Sequence, residues 1–117
     1  MAYTREETEH VEVDYPIKQI WENIPKAITQ LEWKIQESDK NTYNLTIKTK
    51  GAFMSYSSTI KIALVSVNDK TTRMLINGET PVTTITSVLD FGRTRQRIES
   101  FIVTLAKLME KEKSKTS

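Results

Sequence analysis

The densest group of charge in the sequence is Arg93, Arg95 and Arg97, which precedes a long stretch of apolar residues with helical spacing. On a helical wheel Arg95 falls about 60° from Ile98 and therefore inside the apolar arc. Arg97 lies at the edge of that arc and Arg93 outside it. Near the N-terminus of a helix, an inward Arg95 could bind a carboxylate or a phosphate at the mouth of a groove. The alternative is that Arg95 passes the edge of the sheet and pairs with Glu99, four residues on.

A second candidate is the segment 51–58, which has neither a helical nor a strand period. It mixes soft apolar and aromatic side chains, among them Phe53, Met54 and Tyr56, with serine hydroxyls. Such a loop could close a pocket or present Phe53 and Met54 to a partner. The alternative is a corner whose aromatic side chains return to the core. The candidate ligand-binding residues are therefore Arg95, Tyr56, Phe53, Arg93 and Arg97.

The sequence has few of the residues and motifs that catalysis and metal binding require. The chain has no cysteine and one histidine, His10, which excludes thiolate metal sites and cysteine nucleophiles. The carboxylates show no paired acid and base spacing, and the sequence has no glycine-rich phosphate loop and no serine nucleophile elbow. We therefore expect no catalytic residues, no metal, no cofactor and no enzymatic activity.

Length and charge point to one ordinary domain. With 117 residues, 38% hydrophobic and 27% charged, we expect a single α+β domain over 1–117, with frayed ends at 1–8 and 112–117. The net charge of +2 is too small to hold a nucleic acid by electrostatics alone. Residues 1–39 carry nine acids and four bases, and residues 40–117 six acids and thirteen bases. We expect that the two parts attract each other in the fold or form separate solvated faces; the alternative is that the second part presents a basic binding face.

No apolar run approaches the roughly 18 residues that span a bilayer, and the start has no apolar signal stretch. We expect a cytoplasmic protein without membrane insertion.

The first predicted elements are a short strand and an amphipathic helix. Residues His10–Asp14 alternate between polar and apolar, and Pro16 suits the start of a helix. A proline inside the helix, Pro25, predicts a kink or a break after Ile24. The apolar stripe stays in phase across it, so both halves must face one core. The stripe consists of Ile17, Ile20, Trp21, Ile24, Ala27, Ile28 and Leu31.

Alternating runs separated by turn residues predict antiparallel strands in the middle of the chain. The apolar parity slips near Ala63, which predicts a bulge or a stretch that is covered on both faces. Gly78-Glu79-Thr80-Pro81 predicts an interruption between two strands. The predicted strands are residues 31–35, 43–47, 59–67, 72–77 and 82–88.

The last predicted element is a helix from about residue 92 or 93 to about residue 111, with an apolar face broad enough to lie across a sheet. Asp90 and Gly92 would cap and turn its start. The predicted fold is α+β: a curled antiparallel sheet of five to six strands with a Pro-kinked N-terminal helix and a long C-terminal helix packed on one face. The apolar face of the last helix is Ile98, Phe101, Ile102, Leu105, Ala106, Leu108 and Met109.

Two stretches resemble a small uncharacterised prokaryotic domain family. One is Ser55–Ile62, a serine-rich loop that leads through an aromatic residue into a central strand. The other is Asp90–Arg93, at the entry to the last helix. The likeness covers most of residues 11–108, although this chain has Tyr56-Ser57 where the family more often has Trp-Gly, and Phe91 where it has Trp. The resemblance implies the order strand, helix, strands, helix, and implies no activity.

The order of elements is also similar to the helix-grip folds of the START and plant-allergen-like group. These place a broken helix early and a long helix last over a curved antiparallel sheet, and the resemblance implies an apolar ligand between sheet and last helix. The leading hypothesis is a non-enzymatic module that holds a small apolar or anionic ligand, or a partner segment, in a cavity of about 300 Å³ or more. The alternatives are a structural or interaction protein that forms a homodimer through an edge strand or the exposed helix face and, more weakly, a domain that binds nucleic acid through its basic second half.

Overall fold

The computed structural model describes residues 3–50, 57–82 and 93–116. Within these residues, five strands form one antiparallel sheet in the order β1-β5-β4-β3-β2, which confirms the predicted α+β fold with its curled sheet and two helices. In chain order the elements are β1 (Tyr3–Val13), α1 (Ile17–Gln30), β2 (Lys34–Asp39), β3 (Asn44–Lys48), β4 (Thr59–Asn68), β5 (Thr71–Val82) and α2 (Arg93–Thr116).

One apolar cluster joins the two helices to one face of the sheet. Strand residues alternate between the two faces of a sheet, so every second residue is buried in β3, in β4 up to Leu64 and in β5 from Thr72 to Thr80. The predicted helical stripes supply the other half of the core. The buried apolar residues are Ile20, Ile24, Ala27, Ile28, Leu45, Ile47, Ile60, Ile62, Leu64, Met74, Ile76, Ile98, Phe101, Leu105 and Met109.

Helix α1 runs without interruption from Ile17 to Gln30 with Pro25 inside it, so the predicted break after Ile24 does not occur. The strand predicted at 31–35 begins three residues later, at Lys34, and extends to Asp39. Leu31 still donates its N–H to Ala27 of the helix, at 3.0 Å. Glu32 then has a φ of 63°, which no extended strand contains, and the chain becomes a strand only at Lys34.

Strand β1 is much longer than the predicted segment His10–Asp14. It pairs with β5 along its whole length, from Tyr3 opposite Val82 to Val13 opposite Thr72, so residues 3–8 belong to the sheet. The polar start of β1 has no apolar alternation, and its pairing is supported instead by side chains on the outer face. The Asn77 amide, for example, donates to Glu6 at 2.8 Å and to Thr8 at 2.9 Å.

The predicted interruption at Gly78–Pro81 is also wrong, because β5 continues through it to Val82. Gly78 faces the start of α2. A Cβ at this position would lie 2.9 Å from Cγ2 of Thr94 and 3.2 Å from Cδ1 of Ile98. The glycine therefore allows helix and sheet to approach closely rather than ending the strand. The predicted strand beyond Val82 and the turn around Asp90 and Gly92 lie outside the described residues.

Strand β4 carries the predicted change of parity, slightly later than expected. Its residues up to Leu64 alternate with the core, whereas Val65 and Val67 are 47% and 46% exposed. The register is irregular between Ser66 and Asn68. The predicted bulge near Ala63 is wrong, because the pairing of β4 with β5 is regular from Thr59 to Ser66. Coverage on both faces is also wrong, because Val65 and Val67 are exposed.

Charge pairs link the acidic first part of the chain to the basic remainder, as the charge distribution predicts. Pairs on an exposed surface each contribute about 0 to 1 kcal/mol to stability, so these pairs add little to the stability of the fold. The linking pairs are Glu32 with Lys50 at 3.2 Å, Glu12 with Arg73 at 3.1 Å and Glu9 with Arg95 at 3.8 Å.

No described helix combines the length and the apolar character needed to cross a bilayer.

Candidate functional site

Arg95 does not point inward. Its side chain is 60% exposed, and its guanidinium lies 3.3 Å from a carboxylate oxygen of Glu99 and 3.8 Å from one of Glu9. The inward interpretation is therefore wrong and the pair with Glu99 is confirmed. The helical wheel could not place Arg95 correctly because strand β1, longer than predicted, brings Glu9 to the edge of the sheet beside the start of α2.

Arg97 is the arginine that enters the interface between α2 and the sheet. Its side chain is half-buried, and Nη1 donates a hydrogen bond to Oγ of Ser58 at 2.6 Å. Ser58 is fully buried just before β4, at the end of the serine-rich segment 51–58. The structure thus joins both candidate segments of the sequence, but through Arg97 rather than Arg95.

Ser58 begins a chain of buried hydroxyl groups under the first turn of α2. Its Oγ lies 2.5 Å from Oγ1 of Thr80, which lies 2.7 Å from Oγ1 of Thr94, and all three residues are 0% exposed. The backbone N–H of Ser58 also donates to Oγ1 of Thr49 at 2.7 Å. We call Ser58, Thr80, Thr94 and Arg97 the polar end of the interface. It links β4, β5 and α2.

The chemistry of the polar end is that of a structural hydrogen-bond network. Arginine only donates hydrogen bonds, so Oγ of Ser58 is the acceptor for Arg97. Within the described residues the other side-chain partner of this oxygen is the Thr80 hydroxyl. Neither a guanidinium nor a hydroxyl is a general base near neutral pH, so these contacts do not activate Ser58 as a nucleophile.

At the other end of the interface lies a pocket of about 180 Å³ between α2, β5 and the turn from β1 into α1. Met74, Leu105 and Met109 are almost completely buried around it, and Tyr15 is half-buried. The carbonyl of Tyr15 accepts a hydrogen bond from the Thr72 hydroxyl at 2.8 Å, which fixes the turn. We call this the apolar pocket, and its lining is Val13, Tyr15, Ile20, Met74, Ile102, Leu105, Ala106, Met109 and Glu110.

Ile98 and Phe101, both 0% exposed, come between the polar end and the apolar pocket along α2.

The apolar pocket does not reach the predicted 300 Å³, so it is too small for the drug-sized ligand which that volume implies. Its volume is sufficient for one ring, because an engineered apolar cavity of about 150 Å³ binds benzene.

No family model matches the chain, and no curated protein matches it. Solved structures do. A norcoclaurine synthase from Thalictrum flavum has a TM-score of 0.74 at 11% identity over 97% of this chain and 98% of that chain. Ara h 8.0201 has a TM-score of 0.68 at 9% identity, over 92% and 99%. An uncharacterised protein from Bacillus thuringiensis has a TM-score of 0.64 at 12% identity, over 86% and 96%.

The chain has the helix-grip fold. Likeness at 9% to 12% identity shows the fold alone, and both resemblances drawn from the sequence, to helix-grip proteins and to uncharacterised bacterial domains, are confirmed at that level.

Sequence reasoning missed the residues that line the pocket of this helix-grip chain. Met74 and Met109 carried a usable signal, because methionine is common where a core is irregular. Thr80 and Thr94 carried no such signal, because the sequence around each threonine does not show that two residues 14 positions apart will be in contact. Of the other predicted site residues, Phe53 and Tyr56 lie outside the described residues, as does the side chain of Arg93. Among the described residues no cluster of three or more His, Asp or Glu could hold a metal ion.

Proposed function

We propose that this chain is a non-enzymatic binding module that holds a small, mainly apolar ligand of about one ring in the apolar pocket. The observation that carries the proposal is the pocket of about 180 Å³ between the sheet and α2, lined almost wholly by apolar side chains. An empty apolar space of this size costs the fold stability, because its lining lacks contact partners. A ligand that fills the space restores those contacts.

The lining also suits a ligand that enters and leaves. Ala106 is exposed on α2 and lies at the mouth of the pocket, whereas Met74 and Met109 are buried deeper. Methionine adapts its side chain to different shapes, so the pocket can adjust to its occupant. Ligands of this size gain at most about 1.5 kcal/mol per non-hydrogen atom, and usually much less, so we expect dissociation constants in the roughly micromolar to millimolar range.

The test is an NMR titration with ethylbenzene, observing the methyl groups of the methionine, leucine and isoleucine residues. We expect saturable shift changes concentrated on Met74, Ile102 and Met109, and a higher melting temperature as the ligand stabilises the folded state. Naphthalene, which carries a rigid second ring, should bind more weakly. The proposal fails if ethylbenzene leaves these methyl signals unchanged up to its solubility.

A matched pair of variants locates the site. Ala106→Met places a longer side chain at the mouth of the pocket, and we expect it to lower the affinity for ethylbenzene about tenfold or more. Val103→Met places the same side chain on the same helix at a position that is 50% exposed and does not line the pocket. This control should bind as the unchanged protein does. Equal losses in both variants would place the ligand elsewhere.

The homodimer through an edge strand is less well supported. In the described sheet the edges are β1 and β2. The first carries Glu6, Glu7, Glu9 and Glu12, so two copies paired through β1 would bring like charges together. The second is six residues long and has an irregular register between Ile35 and Glu37, which also opposes strand pairing.

A further inference from the structure

Resting on the proposed function, we infer that the apolar pocket selects ligands whose ring carries a cationic amine, and that Glu110 makes the selection. Glu110 is the charged residue among the nine that line the pocket in the described structure. It is exposed and follows the buried Met109 on α2. A ring in the pocket therefore places its substituent in water at the mouth, close to this carboxylate.

The carboxylate of Glu110 is available to a ligand. In the described part of the chain no lysine or arginine forms an ion pair with it, in contrast to Glu9, Glu12, Glu32 and Glu99. A carboxylate only accepts hydrogen bonds, so it favours an ammonium group over a second carboxylate. The competing influences are Lys107, three positions earlier on the helix, and Lys111, one position later, both exposed, which would favour an anionic ligand instead.

Tyr15 adds to the preference for a cation without opposing a neutral ligand. Its half-buried ring lines the pocket. An ammonium group near the face of a tyrosine ring is attracted by the ring electrons. Its hydroxyl both donates and accepts, so it does not discriminate by charge. Selection by charge at the mouth therefore depends on Glu110.

The test compares three ligands of eight non-hydrogen atoms: ethylbenzene, benzyl alcohol and benzylamine, which is a cation near neutral pH. Each is titrated into the unchanged protein, into Glu110→Gln and into Glu99→Gln, with the same methyl signals as the readout. Glu99→Gln removes an equal charge from the same helix at a position outside the pocket. Because each ligand is compared with itself across variants, differences in ligand hydration cancel.

We expect Glu110→Gln to weaken benzylamine about twofold to fivefold, the range for an exposed ion pair, and to leave ethylbenzene and benzyl alcohol unchanged. Glu99→Gln should leave all three unchanged. Benzoate, as the anionic probe, should bind Glu110→Gln more tightly than the unchanged protein. The loss for benzylamine should shrink in about 0.5 M salt.

Two outcomes overturn the inference. Equal binding of benzylamine to the unchanged protein and to Glu110→Gln removes the role of the carboxylate, and equal losses in Glu110→Gln and Glu99→Gln replace it with the general field of the helix. In both cases ethylbenzene still binds and the proposed function stands. If no probe shifts the methyl signals of the pocket, the proposed function fails and this inference fails with it.

Discussion

Helix α2 meets the sheet differently at its two ends. Near its start, Ser58, Thr80 and Thr94 are fully buried and joined by hydrogen bonds of 2.5 and 2.7 Å, and Arg97 donates to Ser58. Farther along the same helix, apolar side chains surround a pocket of about 180 Å³. One interface thus contains a region fixed by specific partners and a region with unfilled volume.

The difference shows which end of the interface tolerates a change in the volume it encloses. Buried hydroxyl groups depend on their partners, because an unpaired one costs about 1 to 3 kcal/mol, so the polar end cannot open without a large loss. Apolar side chains around a void gain van der Waals contacts when the void is filled. The polar end therefore positions the start of α2, and the unfilled volume lies at the other end, where we propose that the ligand binds.

Phe101 separates the two ends, and truncating it should give the largest effect. We expect Phe101→Ala to lower the free energy of unfolding by about 3 to 5 kcal/mol in urea denaturation, because the side chain is 0% exposed and its removal leaves a cavity. Val103→Ala, on the exposed side of the same helix, should cost less than about 0.5 kcal/mol. A cost below about 1 kcal/mol at Phe101 would mean that the two ends are not separated by close packing.

Near-isosteric substitutions compare the ends directly. Thr80→Val removes the central hydroxyl of the polar end and leaves Thr94 without its partner, which should cost about 1 to 3 kcal/mol. Met109→Leu changes the shape of the apolar end while conserving volume, and should cost less than about 1.5 kcal/mol. Both free energies come from the same denaturation experiment. If Met109→Leu proves the more costly, the polar end is not the more constrained region.

Gly78 sharpens the comparison at the polar end alone. Gly78→Ala should cost about 1 to 3 kcal/mol, because the new Cβ would lie 2.9 Å from the Thr94 methyl group in a buried interface. Thr94→Ser removes that methyl group and keeps the hydroxyl, so it should recover part of the loss. In the double-mutant cycle we expect a favourable coupling of about 0.5 kcal/mol or more. Additive costs would show that the helix shifts away rather than clashes.

The sequence predicts the periodic elements and misses what depends on contact between distant elements. The stripes of α1 and α2 and the alternation of β4 up to Leu64 follow from local spacing, and the structure confirms them except at Ala106, which is exposed. The turn predicted at Gly78 is wrong because a glycine three residues before a proline locally indicates a turn, whereas the role of Gly78 comes from a helix that begins 15 residues later. Arg95 was misplaced because a helical wheel contains no information about the carboxylate of Glu9 on another strand.

The smallest expected effect concerns Arg95. Its ion pairs with Glu9 and Glu99 are on the surface, so Arg95→Gln should lower the free energy of unfolding by about 0.2 to 1 kcal/mol. The loss should fade in about 0.5 M salt, because exposed charges are screened. Arg73→Gln, which breaks the exposed pair with Glu12, is the matched control and should behave in the same way. If Arg95→Gln costs more than about 1.5 kcal/mol and the loss persists in salt, its guanidinium is desolvated. The charge at the start of α2 would then belong to the interior with Arg97, and the polar end would be larger than its four residues.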